Sequence, residues 1–325
     1  MILVTGGTGF LGSTLIKQLI NDGRAVVAIK RANSIIPEDF RGSSLIQWVD
    51  ADLTDYFALE DLFVNIQQVY HCAAKISYQK NDAAEMLHAN IEGTRYIVNL
   101  CLQHGARLIH VSSIAALGTN KKGLPVNEAD KWERDPHISN YAVSKYESEL
   151  EVWRGITEGL DAVIVNPSVI MGIGSGKISS NIIFNLVNNG IKIYPPGSVG
   201  IVDVQDVAKI MIQLMNTSKI TGERFILNSE NISNRHLLQR IAKLLGKKEP
   251  SIEAKPFMLD IAWRVAKLIA FIKNTRPALT QESTRASAAK LAYSNEKIRN
   301  AIGYTFKPLD QTLQEITETH YKTTT

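Results

Sequence analysis

Residues 2–12 have the sequence Ile2-Leu-Val-Thr-Gly-Gly-Thr-Gly-Phe-Leu-Gly12, an apolar run followed by three regularly spaced glycines. The apolar run predicts a buried strand. The glycines at positions 6, 9 and 12 permit a tight turn, a close approach of the backbone to a pyrophosphate, and close packing of the next helix. Leucines then recur at helical spacing from Leu11 to Leu19. A strand, a glycine turn and an amphipathic helix in this order predict a dinucleotide-binding unit.

Short apolar runs continue to alternate with helical patterns through the first half of the chain. The six predicted strands are Ile2–Val4, Ala25–Ile29, Leu45–Val49, Val69–Cys72, Leu108–Val111 and Val163–Val165. Parallel strands need crossover connections, so this alternation predicts an α/β Rossmann fold, a doubly wound parallel sheet with helices on both faces. We assign residues 1–167 to this dinucleotide-binding domain.

Beyond residue 167 the strand–helix alternation ends. Helices are predicted over 233–246, 257–273, 279–292 and 308–320, and one strand over Arg224–Leu227. We therefore assign residues 168–325 to a smaller, mostly helical substrate-binding domain, with parts of 201–230 returning to the main sheet.

The predicted helix 257–273 is apolar on most of its surface, and its charged residues Asp260, Arg264 and Lys267 form one stripe. We expect this helix to pack over the substrate cleft. The alternatives are a helix at a membrane surface or at a dimer interface.

Composition narrows the class of protein. Lys and Arg number 36 and Asp and Glu 32, a net charge of +4 without a dense basic run, which gives no support for nucleic-acid binding. Cys72 and Cys101 lack metal-ligand spacing, so we predict reduced thiols and no metal site. No run of 18 apolar residues predicts an integral membrane segment. We expect a cytoplasmic protein that acts on a small molecule.

The end of the second predicted strand bears on the choice of cofactor. An NAD-selective site places an acidic residue there for the ribose 2′-hydroxyl. This chain has Lys30-Arg31, with no carboxylate expected at the spot, and Arg31 can meet a 2′-phosphate in a fork geometry. We predict NADP(H) as the preferred cofactor and NAD(H) as the alternative. Asp52 and Leu53, after the third strand, are placed to touch the adenine ring, and Asp52 could equally cap the next helix.

Tyr141 and Lys145 are predicted to be catalytic, because they stand four residues apart and therefore share one helix face. A cation beside a phenol lowers the tyrosine pKa, which suits a group that exchanges a proton near neutral pH. Ser113 follows the fifth strand and could polarise a carbonyl oxygen that Tyr141 protonates, while Lys145 holds the ribose hydroxyls. Pro167 and Ser168 follow the sixth strand and are placed to shape the wall beside a nicotinamide. Taken one at a time, Ser113 would be interpreted as a turn serine, Tyr141 as a core tyrosine and Lys145 as a surface lysine.

With these residues in place, the chain resembles the extended short-chain dehydrogenase/reductase superfamily. The motifs are Thr5–Gly12, Asp52-Leu53, His71–Ala74, Asn90–Thr94, Val111–Ser113, Tyr141 with Lys145, and Asp203–Ala208. The resemblance implies that Ser113, Tyr141 and Lys145 are catalytic. The cofactor-binding residues that it implies, with those argued above, are Gly6, Thr8, Gly9, Phe10, Leu11, Gly12, Lys30, Arg31, Asp52, Leu53, Ala73, Ala74, Asn90, Pro167 and Ser168. Asn90 matches the position that supports a proton relay in some members.

Within the superfamily the chain looks like the dihydroflavonol-reductase and 3β-hydroxysteroid-dehydrogenase branch, on Asn166-Pro-Ser168, Lys30-Arg31 and the run from Arg276 to Tyr304. This favours an NADP(H)-dependent oxidoreductase that interconverts a carbonyl and a secondary alcohol on a small, fairly apolar substrate. One alternative is a nucleotide-sugar epimerase or dehydratase that uses the same three residues. Another is a cofactor-sensing protein without turnover, a class that commonly loses the tyrosine–lysine pair. The family resemblance also implies a homodimer through helices of the Rossmann domain.

Overall fold

Twelve strands and eleven α-helices are present in the computed structural model, which describes residues 1–120, 122–135, 138–174, 181–273, 275–277 and 279–321. The strands are β1 Ile2–Thr5, β2 Val26–Lys30, β3 Ile46–Asp50, β4 Gln68–His71, β5 Arg107–Val111, β6 Ala162–Pro167, β7 Val169–Met171, β8 Ile193–Tyr194, β9 Ser198–Asp203, β10 Glu223–Leu227, β11 Glu230–Ser233 and β12 Ile252–Glu253. The helices are α1 Phe10–Asn21, α2 Tyr56–Glu60, α3 Ala83–His104, α4 Asn140–Thr157, α5 Asn181–Asn188, α6 Val204–Asn216, α7 Asn234–Leu244, α8 Pro256–Ile272, α9 Gln281–Ala288, α10 Glu296–Ile302 and α11 Leu309–His320.

Seven parallel strands form the central sheet in the order β10-β6-β5-β4-β1-β2-β3. The six strands predicted from the apolar runs are confirmed as β1 to β6, and β10 extends the sheet beyond β6. The strand order reverses between β1 and β4, which places a crevice at the carboxyl ends of these two strands. The predicted α/β Rossmann fold is therefore confirmed.

Two apolar cores cover the two faces of this sheet. On one face α1 and α6 pack together, and Leu15, Ile16 and Met211 are fully buried. On the other face α3 packs along α4, and Ile97 and Val152 are fully buried. Burial on both faces explains why the side chains of β1, β5 and β6 are buried almost throughout and do not alternate between buried and exposed.

A second group of elements follows β6. Strands β7, β9 and β11 form a three-stranded sheet, β8 pairs with β12, and α5, α7 and α11 enclose a third core around Phe184, Ile241 and Leu313. The helices predicted over 233–246 and 308–320 are confirmed as α7 and α11. The helix predicted over 279–292 ends at Ala288, because the carbonyl oxygens of Ala289 and Ala292 accept hydrogen bonds from the backbone of Ser198 and Val126. That part of the prediction is wrong.

Helix α8 lies at the surface and leaves most of its apolar side chains exposed. Phe257 is 60%, Leu268 59% and Phe271 83% exposed, and Ala270 is its one buried residue. Leu259, Trp263 and Ala266 on the other side of the helix are partly buried, and the expectation that this side covers the substrate cleft stays a prediction. Within the described residues no helix combines the length and the hydrophobicity needed to cross a bilayer.

Candidate active site

The glycine turn between β1 and α1 has no room for side chains. Gly6 has a φ of +69°, and a Cβ at Gly12 would lie 2.2 Å from the carbonyl oxygen of Gly6. Helix α1 begins after Gly9, and no side chain caps its first N–H groups. Such a helix start offers backbone donors and a positive dipole end to a phosphate. The predicted turn, which includes Thr8, Phe10 and Leu11, is thus shaped to hold a pyrophosphate, and this supports the fit of a dinucleotide.

The loop after β4 lies against this turn. A Cβ at Gly6 would approach the Cα of Ala73 to 2.9 Å, and the backbone N–H of Ala73 donates to the Thr5 hydroxyl at 3.1 Å. Ala74 follows directly. Asn90 holds the next residue: its amide accepts from the N–H of Lys75 at 2.7 Å and donates to the carbonyl of Lys75 at 2.9 Å. The structure therefore brings the predicted residues of β1 and β4 together at the strand-order reversal.

The end of β2 differs from the expectation. Lys30 pairs directly with Asp50, because the register of β2 and β3 sets these two residues side by side. A carboxylate therefore does lie at this spot, and it engages the lysine. Arg31 is exposed and, within the described part of the chain, makes no ion pair, although its charge contributes to lowering the pKa of Asp52. Of Lys30 and Arg31, it is therefore Arg31 whose charged group is accessible to a ligand.

Asp52 makes a local turn and does not cap a helix. Its carboxylate accepts from the N–H of Thr54 at 2.9 Å and from the Thr54 hydroxyl at 2.7 Å, and these bonds are the main reason that its pKa is lowered. The cap of α2 is Asp55, which accepts from Ala58 at 3.1 Å. Leu53 packs against Gly93 on α3. The capping alternative for Asp52 is therefore wrong.

Helix α4 positions the tyrosine and the lysine. Ser139 caps the helix by accepting from the N–H of Ala142 at 3.1 Å, so Tyr141 lies in its first turn and Lys145 one turn later. The Ser113 side chain, which follows β5, lies close enough to the Tyr141 phenol to lower its pKa. The Lys145 ammonium donates to the carbonyl oxygen of Val111 at 2.7 Å. The structure thus brings the three predicted catalytic residues together at the carboxyl edge of the sheet.

The expected lowering of the tyrosine pKa is wrong in this arrangement. Burial raises the pKa of Tyr141 to about 12, and the nearby Ser113 side chain offsets only part of that effect. Burial also lowers the pKa of Lys145 to about 8, opposed by the nearby Glu149 carboxylate. Because the Lys145 ammonium is directed to the Val111 carbonyl, burial dominates the pKa of Tyr141 and keeps its phenol protonated at neutral pH.

A buried carboxylate behind the lysine was missed by the sequence interpretation. Glu149 is 2% exposed and accepts from the Ser112 hydroxyl at 2.6 Å, from the Asn166 amide at 2.8 Å and from Arg224 at 3.0 Å. The Asn166 amide also donates to the carbonyl oxygen of Ser113 at 3.0 Å. The available signal was the spacing, since Glu149 stands four residues after Lys145 on the same helix face.

Pro167 and Ser168 are held against β10. Pro167 ends β6 beside Leu227, and the hydroxyl of the buried Ser168 donates to the carbonyl oxygen of Leu227 at 3.2 Å. On the open side of Tyr141, the ring of Tyr78 lies 5.8 Å away, centroid to centroid. That Pro167 and Ser168 form a wall beside a nicotinamide stays a prediction.

Comparison with known proteins agrees with this geometry. The model of the NAD dependent epimerase/dehydratase family matches residues 2–227. The chain belongs to this family. A "Putative dihydroflavonol 4-reductase" from Synechocystis sp. is 30% identical over 319 residues, which cover 96% of this chain and 92% of the relative. "Sterol demethylase protein B" from Methylococcus capsulatus is 28% identical over 79% of this chain and 78% of its own length.

Solved structures of similar fold superpose on nearly the whole chain. The crystal structure of gox2253 is 28% identical and superposes with a TM-score of 0.81 over 97% of this chain and 96% of its own. The present chain is therefore an NAD(P)-dependent enzyme of the extended short-chain dehydrogenase/reductase type, as its sequence motifs predicted.

Proposed function

We propose that this protein is an NADP(H)-dependent oxidoreductase that interconverts a carbonyl and a secondary alcohol on a small, fairly apolar substrate. The observation that carries this proposal is the placement of Tyr141 beside Ser113 at the carboxyl edge of the sheet, with Lys145 one turn along the same helix. When bound, the nicotinamide cofactor supplies or accepts the hydride. Tyr141 gives its proton to the carbonyl oxygen in reduction and takes it back in oxidation, and Ser113 hydrogen-bonds the same oxygen.

The protonation state of Tyr141 fits the role of proton donor. With a pKa raised to about 12, Tyr141 holds its proton at pH 7 and can donate it to a carbonyl oxygen as hydride arrives.

Support for an apolar substrate comes from the surroundings of Tyr141 and from the relatives. The neighbouring Tyr78 presents an aromatic ring beside the phenol. Two relatives have names that refer to a dihydroflavonol and to a sterol, both uncharged ring compounds. The substrate class is proposed on these grounds, and its identity is left to assay.

The catalytic proposal is tested with purified protein, NADPH and a panel of apolar ketones and aldehydes, and with the Tyr141→Phe variant. Tyr146→Phe on the same helix is the matched control, because the Tyr146 ring stacks on Trp132 away from Ser113. We expect Tyr141→Phe to lower kcat by about 10²–10⁴ and Tyr146→Phe to leave it within about twofold. Full turnover by Tyr141→Phe would exclude the mechanism. Conversion of nucleotide sugars without net NADPH oxidation would instead favour the epimerase or dehydratase alternative.

NADP(H) preference is proposed on the accessible guanidinium of Arg31 at the end of β2. Calorimetric titration of the wild type with NADPH and NADH should show NADPH at least about tenfold tighter, about 1.4 kcal/mol. Arg31→Ala should remove this difference by weakening NADPH alone. Arg299→Ala, an exposed arginine on α10, is the control that should change neither affinity. Equal affinities for the two cofactors in the wild type would contradict the preference.

Two further parts of the proposal concern the protein in the cell. A cytoplasmic location and a homodimer formed through helices of the Rossmann domain stay predictions. Sedimentation velocity of the wild type would test the second.

A further inference from the structure

Helix α8 has two apolar faces, and only one of them packs on the protein. Leu259, Trp263, Ala266 and Ala270 recur at helical spacing on the inner face and are buried or partly buried. The opposite face carries Phe257, Ile261, Val265, Leu268 and Ile272, which are 46–73% exposed. A helix that only supported the fold would present polar residues on this outer face.

The outer face forms one continuous apolar surface with a charged flank. Spacings of four, four, three and four residues place its five side chains in a single stripe. Phe271, 83% exposed, adjoins it. The flank is formed by Asp260, Arg264 and Lys267, so the helix is apolar outward and charged to the side.

The net positive charge of the chain is concentrated in the sequence segment that contains this helix. Residues 247–290 contain nine Lys and Arg and four Asp and Glu, a net charge of +5, whereas the whole chain has +4. The rest of the protein is therefore slightly negative. The lysines at positions 255, 267 and 273 make no ion pair with any residue of the described chain, so their ammonium groups are available to an anionic partner.

We propose that α8 docks this protein on an anionic lipid surface, with its outer face inserted at the boundary of headgroups and acyl chains. Exposed Phe, Leu and Ile beside Lys and Arg are the combination that binds helices to such surfaces. A second copy of this chain fits less well, because a symmetric contact through α8 would bring two regions of +5 together. The charge distribution thus distinguishes the lipid surface from self-association.

Docking through α8 would orient the candidate active site. The chain that leaves α8 contacts the loop beside Tyr78: Arg276 pairs with Asp82 at 3.0 Å, and Gln79 donates to the carbonyl oxygen of Pro277 at 2.9 Å. An apolar substrate could then pass from the lipid to the site. This consequence rests on the proposed function, whereas the docking itself does not.

The test is flotation of the full-length protein with vesicles of phosphatidylcholine alone or mixed with phosphatidylglycerol. We expect binding to the anionic vesicles, at least about tenfold weaker binding to the neutral ones, and weakening by salt. The double variant Leu268→Ser/Phe271→Ser should bind anionic vesicles at least about tenfold more weakly.

The matched control is Phe57→Ser/Val64→Ser, which replaces side chains of similar exposure, 77% and 61%, far along the sequence in the Rossmann domain. It should bind vesicles as the wild type does, and both double variants should keep the wild-type affinity for NADPH. No flotation of the wild type, or equal losses in both variants, would overturn the proposal. So would sedimentation velocity showing an oligomer that the α8 variant dissociates, with no binding of either protein to vesicles.

Discussion

Gly12 is the residue at which the cofactor turn tolerates least change. A Cβ there would overlap the carbonyl oxygen of Gly6 at 2.2 Å and approach its carbonyl carbon to 2.9 Å. Both contacts are with backbone, so no side chain can rotate away. We expect Gly12→Ala to displace the turn, weaken NADPH binding by at least about tenfold and lower the free energy of unfolding by about 1–3 kcal/mol. Calorimetric titration and urea unfolding measure the two effects.

Gly42→Ala is the control for Gly12→Ala. It measures the cost of replacing a glycine at a position where the new Cβ overlaps no atom. Gly42 has a φ of +79° and no atom within 4 Å of a Cβ placed there. Its replacement should cost about 1–2 kcal/mol of backbone strain and leave NADPH affinity unchanged. Wild-type NADPH affinity in Gly12→Ala would contradict the assignment of this turn to the cofactor.

Single residues were predictable where the signal was local. The glycine spacing and the Tyr141–Lys145 spacing depend only on neighbours along the chain. The pairing of Lys30 with Asp50 depends on the register of two strands, which lie twenty residues apart in sequence. The pKa of Tyr141 depends on burial and on the direction that Lys145 takes, and neither can be deduced from spacing.

At the scale of one element, α4 presents Tyr141, Lys145 and Glu149 on a single face at intervals of four residues. The pKa of Lys145 is about 8, because burial lowers it by more than the Glu149 carboxylate raises it. Glu149→Gln keeps a hydrogen-bonding side chain and removes this negative charge. The pKa of Lys145 should therefore fall further, and the ammonium should lose its proton at a lower pH. We expect the alkaline limb of the kcat/KM profile to move to lower pH.

The measurement is kcat/KM for NADPH-dependent reduction between about pH 6 and pH 10, with Glu147→Gln on the same helix as the control. Glu149 is a positioning residue that acts through Lys145. If Glu149 only supports the fold, Glu149→Gln will lower activity equally at every pH and leave the limb in place. That result would contradict the electrostatic role.

At the scale of the whole molecule, the parallel sheet was predictable and the C-terminal elements were only partly so. Strands β1 to β6 each contain a short run of mostly apolar residues and are separated mainly by helices, a pattern that specifies the fold. Strands β8 and β12 have two residues each and exist only because they pair with each other. Helix α8 has apolar residues on both sides of its charged stripe, so its sequence could not show which side would face the protein.

Two histidines inside the Rossmann domain link the stability of the whole molecule to pH. The rings of His71 and His110 are buried with their centroids 5.3 Å apart. His71 contacts the hydroxyls of Thr5 and Thr94, whereas neither ring nitrogen of His110 has a hydrogen-bond partner among the described residues. Burial lowers the pKa of His71 to about 3 and that of His110 well below its ordinary value of 6.5.

Both shifts destabilise the folded state in acid. Below pH 6.5 the unfolded chain binds protons on these two side chains and the folded chain does not, so the free energy of unfolding falls as the pH falls. We expect a loss of about 2–3 kcal/mol between pH 7 and pH 5.5, measured by urea unfolding at several pH values.

His110→Leu should remove about half of this dependence, because one of the two proton-binding sites of the unfolded chain is gone. His88→Gln, at an exposed position on α3, should leave the dependence unchanged. A free energy of unfolding that stays constant from pH 7 to pH 5.5 in the wild type would mean that the buried pair takes up protons without unfolding.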